Sequence, residues 1–142
     1  MRSLPIVWQR LVNAKGQTCD RCAGTQDEVH QAVETLKQVL APLGIEPQLE
    51  IAEVDEDTFR QSPGESNRIW LADKPMEHWL DASVGSSRCC SVCGESECRT
   101  IEVRGTTFEA IPKRLIIQAA LVASADLLND AEDPSAEQAV PR

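Results

Sequence analysis

Tyrosine is absent from this 142-residue sequence, and only three Trp and two Phe are present, so a core must be built mainly from aliphatic side chains. Basic residues are in deficit, since 14 Lys and Arg against 23 Asp and Glu leave a net charge of -9. Affinity for nucleic acid comes largely from clustered Lys and Arg, and no basic stripe is visible, which excludes a nucleic-acid partner. No run approaches the ~20 apolar residues of a membrane span. Met1 to Arg10 offers neither an apolar h-region nor an A-x-A-like cleavage site, so no secretory leader is expected. The expectation is a cytoplasmic address, in a reducing pool where structural disulfides are rare. Ser-His-Asp arrangements, phosphate-cradling glycine loops and dinucleotide fingerprints are also missing.

What is there is sulfur. Six cysteines fall into two groups: Cys19 and Cys22 in a C-x-x-C, then Cys89, Cys90, Cys93 and Cys98 in C-C-x-x-C-x-x-x-x-C. In a reducing compartment such groupings point to metal or catalysis more than to a cross-linked framework. Apolar content of 42% and charged content of 26% suit one compact domain of this length.

Periodicity supplies the elements. Ile6 to Val12 has the β-branched character of a first strand. Val29, Ala32, Val33, Leu36, Val39, Leu40 and Leu43 mark one face of a helix that Gly44 stops. A second strand is predicted from Ile45, with alternation at Leu49 and Ile51, running into the acidic Glu53 to Asp57. Residues 60–67 form a loop by composition. Ile69 to Ala72, the turn Asp73-Lys74 and Pro75 to Leu80 are predicted as a strand with a returning segment. Thr100 to Arg104 alternates again, and Pro112 opens a final helix whose Leu115 to Leu128 is apolar nearly all round. The domain is predicted over 1–128, with a cysteine-rich insertion at about 84–99 and a polar, unfolded tail at 129–142.

This order, β-α-β, then a β-hairpin-like pair and a C-terminal α-helix, is the α/β order of a thioredoxin-like domain. More narrowly, Thr18-Cys19-Asp20-Arg21-Cys22, Ser66-Asn67-Arg68-Ile69, Lys74-Pro75-Met76-Glu77, Cys93-Gly94-Glu95, Cys98-Arg99-Thr100 and Ala110-Ile111-Pro112 carry a further likeness. Over about residues 4–128 the chain resembles the bacterial thioredoxin-like family filed as domain of unknown function 2703. The resemblance implies the fold and brings no settled activity.

The first pair admits two chemistries. A C-x-x-C opening a helix gains from the helix dipole, which favours the thiolate of Cys19 as nucleophile, with Cys22 as resolving thiol. Arg21 would add to this and Asp20 oppose it. Thr25-Gln26-Asp27-Glu28, however, has the form of a capping box, and after Ala23-Gly24 it predicts a helix beginning at Thr25. The pair would then sit on a loop and clasp a metal. Thr18 is the competing cap, which would put the dithiol in the first helical turn. Thioredoxin-like oxidoreductases usually set a cis proline against the dithiol; here Ser66 or Asn67 holds that position, which weighs against exchange and toward metal capture.

In the second group, Cys90-Ser91-Val92-Cys93-Gly94 has the form of a zinc knuckle. Cys98 is a third candidate ligand, and Cys89, His78 or a cysteine of the first pair a fourth. Zinc is expected first, then softer thiophilic ions (mercury, copper or arsenic), then an iron–sulfur cluster. His30, His78 and the acidic run at 53–57 are expected as solvated or structural residues. The expected functions are therefore soft-metal binding through thiolates or, alternatively, thiol–disulfide exchange with a metal ion or disulfide substrate as partner. A homodimer is compatible with the sequence, and a third reading is a partner-binding scaffold without chemistry, with Trp70, Trp79 and Phe108 as contact residues or, equally, core.

Overall fold

The computed structural model describes residues 2–12, 16, 20–87 and 97–131. It is a mixed α/β structure with two sheets. Strand β1 (Arg2–Leu11) is parallel to β2 (Ile45–Val54), and the helix α1 (Asp20–Leu40) joins them. A 3-10 turn at Ala41–Leu43 and left-handed Gly44 end that crossover. On its other side β1 pairs antiparallel with β3 (Arg68–Leu71), which pairs with β4 (Lys74–Pro75), giving the order β2-β1-β3-β4.

The β3–β4 turn is made by Ala72 and Asp73, both at positive φ, 51° and 68°. Two successive left-handed residues match the right-handed twist of the flanking strands, so the hairpin closes without Asn-Gly. The returning segment departs from the sequence expectation. Only Lys74 and Pro75 pair, and Met76–Leu80 forms a helix, α3. The reason is burial of Met76 and Leu80 four residues apart, a helical spacing.

The acidic run is solvated, as expected, and also starts a helix. Asp55 caps a short helix, α2 (Glu56–Gln61), by accepting from the Thr58 N–H at 2.7 Å. That bond holds the Asp55 carboxyl below the ordinary carboxylate range. Arg60 pairs with Glu56 at 3.8 Å and with Asp57, so these carboxylates are engaged locally.

The second sheet is antiparallel, in the order β5-β6-β7, from β5 (Ser83–Ser87), β6 (Cys98–Val103) and β7 (Thr106–Phe108). Strand β5 falls inside the stretch that the sequence predicted as a cysteine-rich insertion, and Ser83-Val84-Gly85-Ser86-Ser87 gave no strand signal. Gly85 lies opposite Thr100, and a Cβ there would stand 2.9 Å from the Thr100 Oγ1. Residues 129–131, predicted as the start of the polar tail, are instead the last residues of a helix (Lys113–Ala131); residues 88–96 of the insertion and 132–142 of the tail lie outside the described residues.

Leu4, Ile6 and Trp8 alternate along β1 and are fully buried with Ile45, Ile69 and Leu71. The α1 stripe Val29, Ala32, Val33, Leu36 and Leu40 meets them, as do Leu115, Ile116, Ala119, Ala120 and Ala123 of α4 (Lys113–Ala131). Ile101 and Val103 bring the second sheet into the same core. Val39 and Leu43, predicted on the buried stripe, are exposed instead. Among the described residues no helix is long and apolar enough to cross a membrane.

Candidate functional site

Helix α1 begins at Asp20, five residues before the position that its capping box predicted. Cys22 therefore lies in the first helical turn and is fully buried. In that turn the helix N–H groups carry the positive end of the helix dipole, which favours a thiolate, whereas burial among the core side chains favours the neutral thiol. Cys19 precedes the helix directly and lies outside the described residues, as do Cys89, Cys90 and Cys93.

The capping-box residues have another partner. Thr25 is buried, and its Oγ1 accepts from the Ile111 N–H at 3.0 Å. A Glu28 carboxylate oxygen accepts from the Lys113 N–H at 3.2 Å, and the Lys113 ammonium reaches Gln31 at 2.9 Å. Thr25 and Glu28 thus cap the N-terminus of α4 from the side, and leave α1 free to start earlier. Gly24, which looked like a helix stop, is a packing residue: a Cβ there would meet the Ala110 Cβ at 3.2 Å. Sequence spacing could identify a capping box, but not the helix it serves.

The chain before β3 closes the other side of this end. Ser66 and Asn67 are buried, and Asn67 is left-handed at φ 53°. Its side-chain oxygen accepts from the Trp8 indole N–H at 3.0 Å, and its amide donates to the Glu109 carbonyl at 3.4 Å. Gln9 donates to the Glu65 carbonyl and carboxylate at 3.1 and 3.0 Å and accepts from Trp70. Arg68 pairs with Glu65 at 2.9 Å and stacks 4.1 Å over the Trp70 ring. No peptide bond among the described residues is cis.

The second sheet is tied to the same loop. Arg99, 8% exposed, donates to the Gly64 carbonyl at 2.9 Å and to a Glu77 carboxylate oxygen at 2.5 Å. Cys98 is its neighbour at the start of β6 and pairs across to Ser87 in backbone register. The connection carrying Cys89, Cys90 and Cys93 therefore leaves and returns at one end of a paired hairpin. The chain of bonds from Gln9 to Glu65, Gly64 to Arg99, Asn67 to Glu109 and Ile111 to Thr25 gathers the start of α1 and the start of β6 around one loop. A small cavity of about 10 Å³, room for one water, lies among Asn67, Glu77, Arg99 and Glu109.

His30 is exposed, and exposed His78 sets its ring edge-on to Trp79 at 4.9 Å. Among the described residues no three His, Cys, Asp or Glu side chains form a metal set. Trp70, Trp79 and Phe108 are each half-buried, the Trp79 N–H donating to the Leu71 carbonyl at 2.8 Å. The sequence missed Arg99–Glu77 altogether, because charges 22 residues apart carry no periodic signal.

A family model described as a domain of unknown function, DUF2703, matches residues 4–120. An uncharacterized protein of Archaeoglobus fulgidus is 40% identical over 113 residues, covering 80% of this chain and 82% of its own. That likeness is archaeal, so it does not bear out a bacterial restriction. No solved structure matches the chain.

Proposed function

The chain belongs to the DUF2703 family, and for this member we propose a cytoplasmic, thioredoxin-like thiol protein with two sulfur centres. Cys19 and Cys22 form a dithiol at a helix N-terminus, and Cys89, Cys90, Cys93 and Cys98 bind a soft metal ion, zinc first. The observation that carries the proposal is the start of α1 at Asp20, with Cys22 buried in its first turn. The order β2-β1-β3-β4, with β1 and β2 parallel through α1 and a hairpin on the other side, supports the thioredoxin-like reading.

The metal reading rests on donor chemistry and on connection geometry. Thiolates are soft donors and suit zinc, copper(I) and related ions. The connection that carries them spans ends already held together by the Ser87–Cys98 pairing, so a bound ion would clip a hairpin rather than order a long free loop. The metal's own contribution would be structural: when bound, it cross-links the hairpin connection.

The helix start favours a second activity for the first pair, namely thiol–disulfide exchange. The Cys19 thiolate would attack one sulfur of a substrate disulfide, and the substrate's first thiolate would leave. Cys22, deprotonated in turn, would displace the second, leaving a Cys19–Cys22 disulfide and a substrate reduced by two electrons. An external dithiol reductant would restore the pair. Against this, Asn67 fills the position before β3 and is committed to Trp8 and Glu109, which limits the backbone available to an incoming chain.

Two measurements separate the centres. Protein purified without chelator, reduced and analysed for metal, is expected to carry about one zinc per chain, lost in a variant with Cys90 and Cys93 changed to Ser. A chain that neither holds nor takes up zinc overturns the metal reading. Reduction of insulin disulfide is expected to fall to background in Cys19→Ser, and undiminished turnover in that variant would rule out exchange at this pair.

A further inference from the structure

Strand β2 ends its sheet, and its outer side pairs with no strand among the described residues. Which backbone groups face outward follows from its two ends. The Arg2 N–H donates to the Gly44 carbonyl at 2.9 Å and the Val12 N–H to the Val54 carbonyl at 3.0 Å, and the register between them is unbroken. Backbone groups alternate sides along a strand, so the even-numbered residues of β2 bond to β1 and the odd-numbered ones turn away. Pro47, which has no N–H to give, stands at an outward position, where the ladder needs none. Beyond it the N–H groups of Leu49, Ile51 and Glu53 and the carbonyls of Pro47, Leu49, Ile51 and Glu53 form a bare row. No backbone bond among the described residues reaches that row. At the opposite edge β4 is two residues long and ends in Pro75, which offers nothing comparable.

A groove of about 370 Å³ lies beside the row, between β2 and α1. Val33, Pro47 and Leu49 give it apolar surface, and His30, Glu34 and Lys37 form its helical wall. No residue of β1 or α4 lines it, so it opens at the free edge and not into the core. Ile51, 39% exposed, continues the odd-numbered side-chain row on the same face. It lacks the neighbour that a further strand would supply.

Charge gives the second signal. Glu46, Gln48, Glu50 and Ala52 point to the other face of the sheet, and Glu46 and Glu50 are exposed. Neither has an ion pair among the described residues, whereas Glu53 is matched by Arg10 at 3.0 Å and Lys37 by Glu34 at 3.5 Å. The edge thus keeps two unmatched negative charges. Two copies of β2 would crowd these glutamates onto one face of chains that carry -9 each, and acids along an edge keep identical strands apart. A strand with cations opposite Glu46 and Glu50 meets attraction instead.

We propose that the free edge of β2 docks an extended segment of a partner protein in which apolar residues alternate with Lys or Arg. The segment adds a fifth strand to the four-stranded sheet. Its backbone pairs with Pro47, Leu49, Ile51 and Glu53, its apolar side chains enter the groove toward Val33, Leu49 and Ile51, and its cations lie opposite Glu46 and Glu50. In strand addition the main-chain bonds give affinity and the alternate side chains give specificity. No part of the site uses a cysteine, so the proposal goes beyond the thiol reading and does not depend on it.

Titration of the full chain, reduced and with chelator, with a short capped peptide alternating Lys and Val tests it. Saturable binding is expected, with exchange of the Leu49, Ile51 and Glu53 amides slowed at least tenfold in the complex. The same peptide N-methylated at every residue keeps its charge and cannot pair, and a peptide alternating Glu and Val can pair but is repelled. Each is expected to bind at least tenfold more weakly. Ile51→Pro removes an outward donor and no bond to β1, and Glu46→Lys with Glu50→Lys reverses the edge charge. Each change is expected to weaken binding at least tenfold with an unchanged circular dichroism spectrum. Should Ile51→Pro fail to fold, the N-methylated peptide carries the backbone test by itself. Absence of saturable binding, equal affinity for the N-methylated peptide, or protection away from β2 would overturn the proposal. Slow exchange at those three amides in the free wild type, with a doubled mass in sedimentation, would assign the edge to a second copy and overturn it too.

Discussion

Thr25 is the residue on which the placement of the dithiol turns. Its hydroxyl accepts from the Ile111 N–H inside the protein, where no water can replace it. Thr25→Val keeps the shape and leaves that donor unsatisfied, so the urea midpoint is expected to fall by the equivalent of about 1–3 kcal/mol. Thr25→Ser should restore most of it; if Ser is as costly as Val, packing of the methyl group and not the hydrogen bond is what matters. Asp55 is the exposed counterpart. Its folded pKa is lowered by the Thr58 N–H, so the unfolded chain takes up the proton first as pH falls. The stability this gives is present above the ordinary carboxylate range and is lost as pH drops through the lowered value. Thermal unfolding of wild type and Asp55→Ala is expected to differ at neutral pH and to converge in acid, while Asp55→Asn, a cap that does not titrate, should show no such convergence.

At the level of elements, helices and hairpins were legible to unequal degrees. The α1 stripe was readable because it buries a periodic face, and the final helix because a long apolar run follows Pro112; on β2, Ile45 is buried but Ile51, read as part of its alternation, is exposed. Strand β5 was not readable, because all five of its residues are polar, small or exposed and it is held only by pairing to β6. Gly85 makes that pairing close. A Cβ at 2.9 Å from the Thr100 hydroxyl must push β5 and β6 apart, as Thr100 is β-branched and stiff. Gly85→Ala is expected to destabilise by about 1–3 kcal/mol and to raise amide exchange along both strands. The same change in a Thr100→Ala background should cost much less. Equal costs in the two backgrounds would mean that the close approach is not the cause.

For the whole molecule, Arg99 is the tie between the two sheets, reaching from β6 to the loop before β3 and to α3. Arg99→Met is expected to cost about 3–5 kcal/mol, because the Glu77 carboxylate, side chain 17% exposed, is left without its cation. Combining it with Glu77→Gln should cost clearly less than the sum, and simple additivity in the urea-denaturation cycle would show that the pair is not coupled. The sequence alone determined the grouping of its sulfurs, the periodic face of α1, the apolar run of α4, the acidic balance and the lack of an apolar run long enough to span a membrane, since all of these are local or compositional. Tertiary structure decided where α1 begins, which helix Thr25 and Glu28 cap, that a second sheet exists, that Cys22 is buried in the core, and that Arg99, the neighbour of Cys98, reaches the loop before β3. The capping of α4 by Thr25 and the tie of Arg99 to the loop before β3 depend on partners 86 and 35 residues away along the chain, and the second sheet on a strand, β5, that shows no alternation of its own. A hydrogen bond or a close glycine contact at such a separation leaves no period behind, so only the folded chain could choose among the alternatives its sequence allowed.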